Sequence, residues 1–174
     1  MTNKITIGLF GTCDNIKWRD EFITKYKEKG IDYFNPDAGD DWHAGMVVEE
    51  NKHLNEDRII LFPVLAESLG TGSLGEIGFS ILNLMRNVEK GSNQYLVVMI
   101  DDECFDVRKT DAERKNSTNN RKLVKSKLEN VNHPNLYIVN TLKQMLKVST
   151  ELYAICELQD KLESNVSGMH KKQA

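Results

Sequence analysis

The chain has 174 residues, of which 40% are hydrophobic and 28% are charged, and its net charge is -3. That length and composition suit one globular domain with a sizeable core, and the slight negative charge gives no general attraction to nucleic acid or to anionic membranes. The sequence has no apolar run long enough to span a bilayer and no signal-like start, and its three cysteines lack CxxC spacing. We therefore expect a cytoplasmic protein without a membrane or nucleic-acid partner, a disulfide or a metal site.

Strand and helix patterns alternate five times along the chain. Strands are predicted at 4–10, 31–34, 59–64, 95–100 and 136–139, and helices at 18–29, 43–55, 74–88, 121–128 and 141–163, while 101–120 is predicted as loop with some helix. Right-handed crossovers then give an α/β, flavodoxin-like (Rossmann-like) three-layer sandwich with a five-stranded parallel sheet in the order 2-1-3-4-5. We assign residues 1–163 to this single domain and 164–174 to a flexible tail. The apolar spacing of the closing helix suits either burial on the sheet or a subunit contact.

The loops at the carboxyl ends of the strands are rich in carboxylates and poor in cations. Segments 11–15, 35–42 and 65–75 contain neither arginine nor lysine, and Asp14 lies where a phosphate would have to bind. The first loop, residues 11–15, does not have the GxGxxG pattern, and the sequence has no P-loop, so a dinucleotide or triphosphate ligand is disfavoured and no cofactor is predicted. Carboxylates accept hydrogen bonds from sugar hydroxyls, which favours an uncharged, polyhydroxylated ligand.

Glu76 is the candidate on which a functional interpretation depends. It follows a glycine-rich turn after the third strand, where an acidic side chain would face the ligand crevice of an open α/β sheet. Ser73 and Glu76 also match a capping box, in which the glutamate bonds back to the serine amide. On local pattern alone the capping interpretation is the stronger one.

Other candidates also have structural alternatives. Glu49 and Glu50 lie on the second helix, where a solvated face is the ordinary explanation, and Trp42 fits core packing as well as stacking on a base. Cys13 lies in a crevice loop, but no nearby histidine would activate it, so a nucleophilic thiol is disfavoured.

The order of these motifs resembles the nucleoside 2-deoxyribosyltransferase superfamily, in particular its nucleoside 2-deoxyribosyltransferase-like branch, over about residues 5 to 102. The motifs that carry the resemblance are Gly11-Thr12-Cys13 with Trp18-Arg19-Asp20, Tyr33-Phe34-Asn35-Pro36 with Asp40-Asp41-Trp42, Glu49-Glu50-Asn51, Asp57, and Gly75-Glu76-Ile77-Gly78. The resemblance implies ping-pong transfer of deoxyribose between bases, without a cofactor. Its partners would be a nucleoside and a free nucleobase, and its members form homodimers or larger homo-oligomers.

The resemblance also implies roles for individual residues. The nucleophile falls on Glu76, and the second acid, eight residues before Asp57, falls on Glu49, with Glu50 as a competitor. The residues implied in substrate binding are Gly11, Thr12, Cys13, Asn35, Asp41, Trp42, Glu50, Gly72 and Gly75.

Three departures from the family pattern affect the choice of substrate. Glutamate replaces the usual aspartate at position 49, Gly70 stands where transferases often have an aspartate, and the loop before Glu76 is longer. Asp14 argues against the superfamily's nucleotide hydrolases, which hold a phosphate with a basic first loop.

Chemistry of this kind proceeds through a glycosyl ester of Glu76, while a second carboxyl group protonates the departing base. Capture of the ester by another base gives transfer, and capture by water gives hydrolysis of a nucleoside or nucleotide. A non-catalytic nucleoside- or nucleotide-sugar-binding module is the alternative from a different class, because fold alone does not determine function. A flavin binder is weaker, since the first loop lacks a run of hydroxyl residues.

Overall fold

The computed structural model describes residues 4–13, 16–37, 43–88 and 93–170. Strands and helices alternate strictly along the chain, as the sequence predicted. The elements are β1 (Ile7–Leu9), α1 (Trp18–Lys29), β2 (Tyr33–Phe34), α2 (Ala44–Glu56), β3 (Ile59–Val64), α3 (Thr71–Val88), β4 (Tyr95–Ile100), α4 (Asp111–Glu129), β5 (Leu136–Val139) and α5 (Leu142–His170).

The five strands form one parallel sheet in the order β2-β1-β3-β4-β5, which confirms the predicted topology. β3 and β4 pair over six residues each, from Ile59 opposite Tyr95 to Val64 opposite Ile100. β1 pairs with β2 on one side and with β3 on the other, so the strand order reverses beside it. Ligand crevices of open α/β sheets form at such a reversal, at the carboxyl ends of the strands.

Helices cover both faces of the sheet, and alternate residues of each strand serve the two layers. Ile59 and Leu61 pack in a cluster with α1 and α5, whereas Ile60 and Phe62 pack in a second cluster with α3 and α4. The core side of α5 is buried at Met145, Leu152 and Cys156, which confirms burial on the sheet for that part of the helix. Its later turns are more open, with Leu162 64% exposed.

Several element boundaries differ from the sequence prediction. α3 begins at Thr71 rather than at Leu74, and α4 is one continuous helix where loop with some helix had been predicted for its first half. A capping box starts α4, because Thr110 and Glu113 bond reciprocally to each other's amides. α5 continues to His170, beyond Glu163. Within the described ranges, no helix combines the length and apolar character needed to cross a membrane.

Candidate active site

A cleft of about 380 Å³ opens where β1 and β3 end. One wall is the loop after β1, another is the segment that joins β3 to α3 together with the start of that helix, and Lys109 closes the side toward α4. The residues that line it are Gly11, Thr12, Cys13, Ser68, Leu69, Gly70, Thr71, Gly72, Ser73, Glu76 and Lys109.

The first loop is held against the end of β3. The Thr12 amide donates to the Pro63 carbonyl oxygen at 2.9 Å, and the Thr12 hydroxyl both donates to that oxygen and accepts from the Leu65 amide at 3.1 Å. Gly11 has a φ of 95°, and a Cβ there would lie 2.5 Å from the Pro63 carbonyl oxygen, so only glycine fits. The Thr12 side chain therefore holds the loop in place, and its hydroxyl is already hydrogen-bonded within the protein.

Arg19 lies beneath the first loop and is 3% exposed. Its guanidinium group donates to the main-chain oxygens of Leu9 and Thr12 at 2.9 Å each, and it lies 3.6 Å from the Asp37 carboxylate. The Cys13 thiol is 3.6 Å from the same group, but loss of hydration outweighs this contact and raises the thiol pKa. A protonated thiol fits the expectation that Cys13 is not a nucleophile.

Arg121 of α4 supports the second wall in a similar way and is fully buried. Its guanidinium group donates to the carbonyl oxygens of Val64 at 3.0 Å and Leu65 at 2.9 Å, and also to that of Ser68. It makes a further bond of 3.1 Å to the Ser117 hydroxyl. Burial lowers the pKa of this guanidinium group. An arginine more than fifty residues away in the sequence thus sets the path from β3 to α3.

The capping-box interpretation of Glu76 is wrong. The first helical bond of α3 runs from the Leu74 amide to the Gly70 carbonyl oxygen at 2.9 Å, so Ser73 is already inside the helix. Glu76 therefore lies in the second turn, three residues beyond the position from which a capping glutamate bonds back. Gly70 precedes the helix with a φ of 62°, and a Cβ there would lie 2.4 Å from a methyl group of Val64. A side chain such as aspartate at position 70 would therefore clash with Val64.

Glu76 lines the cleft, and much of the residue is exposed. Loss of hydration is the main cause that raises its pKa above the ordinary value. The nearby Glu50 carboxyl group adds to the rise, and the Arg19 guanidinium group opposes it. The carboxyl group of Glu76 is thus electrostatically coupled to a second acid and to a cation.

That second acid is Glu50. Its own pKa is raised by loss of hydration, and it acts directly on Glu76. Glu49 is exposed, and among the described residues it is not one of the groups that shift the pKa of Glu76. Successive residues point about 100° apart around a helix, which explains why the two differ in their effect on Glu76, and neither is among the residues that line the cleft. Counting eight residues back from Asp57 in the sequence does not show which side of α2 lies toward Glu76.

The remaining substrate-binding candidates are distributed as follows. Gly11, Thr12, Cys13 and Gly72 line the cleft, whereas Gly75 does not appear among its lining residues. The Asn35 side chain accepts a hydrogen bond from the Asp37 amide at 3.1 Å, and Asn35 is not among the residues that line the cleft. Asp41 and Trp42 lie outside the described residues, as does Asp14.

Arg121, Lys109 and Ser73 are among the residues of the site that sequence reasoning missed. Arg121 was treated only as part of a helix, Lys109 as part of a charged loop, and Ser73 as a cap. The signal for Lys109 was available in principle, because the threonine after it begins a Thr-x-x-Glu capping box, which places Lys109 just before α4 at the sheet's carboxyl edge. The contacts of Arg121 depend on the tertiary structure and have no local signal.

Comparison with solved structures gives a match to the crystal structure of the RPS4 and RRS1 TIR domain heterodimer. The TM-score is 0.51 at 10% sequence identity, and the match covers 86% of this chain and 97% of that chain. At this identity the likeness concerns the fold alone, and it agrees with the flavodoxin-like three-layer architecture. No family model and no curated protein matches the chain.

Proposed function

We propose that this protein is an N-glycosyl transferase that moves a 2-deoxyribosyl group between nucleobases through a covalent ester on Glu76. The observation that carries the proposal is Glu76 in the cleft between β1 and β3, with a pKa that the nearby Glu50 carboxyl group helps to raise. Paired carboxylates whose environments differ can divide the roles of nucleophile and acid–base catalyst. The resemblance of the motif order supports the same chemistry.

In the proposed reaction, the ionised Glu76 carboxylate attacks the anomeric carbon of the sugar as the bond to the base breaks. Glu50, with its raised pKa, gives its proton to the departing base. In the second half-reaction Glu50 takes a proton from the acceptor base, whose nitrogen displaces the glutamate. In each half-reaction one bond to the anomeric carbon breaks as another forms, and one proton passes between Glu50 and a base. Arg19 opposes the rise in the Glu76 pKa and so helps to keep the nucleophile ionised.

Hydrolysis is the second candidate, and a specific observation favours it. Glu76 is exposed in the single chain, so water can reach an ester formed there. Enzymes protect such intermediates by excluding water. Release of free base without an acceptor would identify the protein as an N-glycoside hydrolase that uses the same nucleophile.

We also propose that the chain forms at least a dimer. α3 exposes apolar side chains at Phe79, Leu82 and Met85, which are 68%, 65% and 54% exposed. The similar TIR structure is itself a heterodimer. Light scattering should give at least twice the chain mass, and Leu82→Lys should reduce that mass toward the monomer value. A monomeric wild type at high concentration would reject this part of the proposal.

The test of the reaction is base exchange. Wild-type protein is incubated with a 2-deoxynucleoside and a second free base, and the products are separated by chromatography. Glu76→Gln should lower the rate at least about 10³-fold while circular dichroism shows an intact fold. Brief exposure of the wild type to substrate should add one pentosyl mass to the peptide that contains Glu76.

Glu49→Gln and Glu50→Gln form a matched pair for the second acid. The two residues are adjacent on α2, and only Glu50 acts on Glu76. Glu50→Gln should slow the reaction strongly and Glu49→Gln should not. Equal activity in wild type and Glu76→Gln, or no base exchange and no base release in either, would reject the proposed function.

A further inference from the structure

Helix α2 packs on the protein through one narrow face. No residue of α2 whose side chain the structure describes is buried, and the partly buried ones are Met46, Glu50, His53 and Leu54. These four positions lie within about 100° of one another around the helix, so they form its inward face. Glu50 therefore shares that face with His53, which lies about one turn further along the helix.

His53 joins α2 to two strands. Its Nδ1 atom forms a hydrogen bond of 2.9 Å with the carboxyl group of Asp57, the residue that ends α2 just before β3. Its ring stacks on that of Phe34 in β2, with the ring centroids 3.7 Å apart and an angle of 5° between the planes. Phe34 in turn packs on Phe10, which is buried directly after β1. The His53 side chain therefore has a directional contact with the start of β3 and a second contact with β2.

Asp57 is a fixed partner for this bond. It is 4% exposed, and its main-chain oxygen accepts from the Gln94 side chain at 2.9 Å. A Cβ at Gly8 would lie 3.0 Å from Asp57 Oδ2, so β1 confines the carboxyl group on that side. Oδ2 has no hydrogen-bond partner among the described residues. A buried carboxyl group left without any partner is costly, so the bond to His53 holds the histidine more firmly than a surface contact would.

The other contacts of the last turn of α2 control its rotation less. The Leu54 carbonyl oxygen accepts from Gln94 at 3.2 Å, but main-chain groups lie close to the helix axis, so this bond fixes the helix end rather than its rotation. The Leu54 side chain packs on the apolar core, a contact that has no preferred direction. Asn55 accepts from Asn83 at 2.9 Å at the exposed surface. Among the described residues, His53 thus makes the directional contact on the inward face.

We propose that His53 is a positioning residue, which fixes the rotation of α2 and thereby holds the Glu50 carboxyl group near Glu76. The end of a helical side chain lies ~5–6 Å from the helix axis, so a rotation of ~10° moves it by about 1 Å. A displacement of that size can cost a reaction ~10²-fold in rate. The role of Glu50 as the acid rests on the proposed function, whereas the control of its position by His53 does not.

His53 acts through position rather than through its own charge. Lost hydration and the Glu50 carboxyl group raise the pKa of Glu76, and the Arg19 guanidinium group opposes them, whereas His53 is not among these causes. Lost hydration raises the pKa of Glu50. Replacement of His53 should therefore change the pKa of Glu76 only by moving Glu50. The pKa of Glu76 is thus a measure of where Glu50 lies, and it needs no substrate.

The test is an NMR titration of the full chain labelled with ¹³C at the glutamate carboxyl carbons, with the Glu76 signal assigned from Glu76→Gln. His53→Phe keeps an aromatic ring on Phe34 but removes the hydrogen bond, and it should lower the Glu76 pKa to the value found in Glu50→Gln. His53→Asn, whose side-chain amide can take the place of Nδ1, should restore the wild-type pKa. In the Glu50→Gln background, His53→Phe should have no further effect.

Val48→Ala is the matched control, because Val48 also lies on α2 but is 73% exposed, and it should leave the Glu76 pKa unchanged. An unchanged Glu76 pKa in His53→Phe, beside a lowered one in Glu50→Gln, would overturn the proposal. An equal fall in the Glu50→Gln background would also overturn it, since that effect would not pass through Glu50. Should His53→Phe fail to fold, Phe34→Leu removes the stacking partner instead and should lower the Glu76 pKa, and no change there would count against the positioning role.

The consequence for the reaction is measured separately. His53→Phe should lower kcat ~10²-fold with KM nearly unchanged, because His53 is not among the residues that line the cleft, and His53→Asn should recover kcat. A lowered Glu76 pKa in His53→Phe, in a protein without turnover, would support the positioning role and reject the proposed function. Turnover that depends on Glu76 but not on His53, with an unmoved Glu76 pKa, would do the reverse.

Discussion

Replacement of Arg121 by methionine is the sharpest test of how the site is held in place. The substitution keeps an unbranched apolar side chain in the buried space and removes the guanidinium group. In the wild type that group donates to the main-chain oxygens of Val64, Leu65, Ser68 and Asp101. These acceptors lie on the segment that leads into α3 and on the residue that follows β4.

The size of the effect depends on which acceptors keep a partner. The Val64 oxygen still accepts from the Asp101 amide at 3.0 Å, and the Leu65 oxygen still accepts from the Ser68 amide at 3.3 Å. An acceptor left without any partner costs ~1–3 kcal/mol, and each lost hydrogen bond to a charged group costs ~1.5–3 kcal/mol. Part of this loss is offset, because the methionine variant no longer has to remove a charged guanidinium group from water on folding. We therefore expect a net loss of about 3 kcal/mol in the free energy of unfolding, well below the sum of the bonds.

Urea denaturation and thermal melting give the assay. For a chain of this length, about 3 kcal/mol corresponds to a fall in Tm of roughly 6–12 °C. Arg86→Met is the control, because Arg86 is exposed near the end of α3 and should change stability by less than about 0.5 kcal/mol. Hydrogen exchange should also accelerate in segment 65–70 of Arg121→Met. Similar stability of the two variants, with unchanged exchange in that segment, would refute the reasoning.

Further predictions concern pH and the glycines. Glu50→Gln should move the acid limb of the pH–rate profile to lower pH, since it removes repulsion that raises the Glu76 pKa, and Glu49→Gln should not. Gly70→Ala should lower the free energy of unfolding by ~1–3 kcal/mol, because Gly70 has a positive φ. Gly78 lies within α3 with open space around it, so Gly78→Ala should raise that free energy by up to ~1 kcal/mol. Urea denaturation measures both changes. Burial raises the Asp57 pKa to about 6, against the opposing effect of His53, so the folded state holds this proton more tightly than the unfolded chain. Wild-type stability is therefore highest below pH ~4, where the carboxyl group is neutral, and falls as pH rises through 6. Asparagine stays neutral, so the free energy of unfolding of Asp57→Asn, measured relative to wild type, should increase by on the order of 3 kcal/mol from pH ~4 to above pH ~6.

The sequence determined the fold through features that are local. Two six-residue apolar runs became β3 and β4 with the predicted bounds, because strands buried on both faces need apolar side chains on both faces. The alternation of elements and the handedness of crossovers then left few topologies, and the predicted strand order is the observed one. The glycine-rich turn after β3 likewise placed Glu76 at the cleft.

Only the tertiary structure decided how the site is built. The choice between Glu49 and Glu50 depends on the rotation of α2 relative to α3, and a pattern that counts residues does not contain that rotation. The position of Arg121 beneath segment 64–68 depends on how α4 packs on the sheet, a contact across 57 residues at Val64. Local periodicity specifies which face of a helix is apolar, but the placement of a buried charge is set by the carbonyl groups that other elements bring to it.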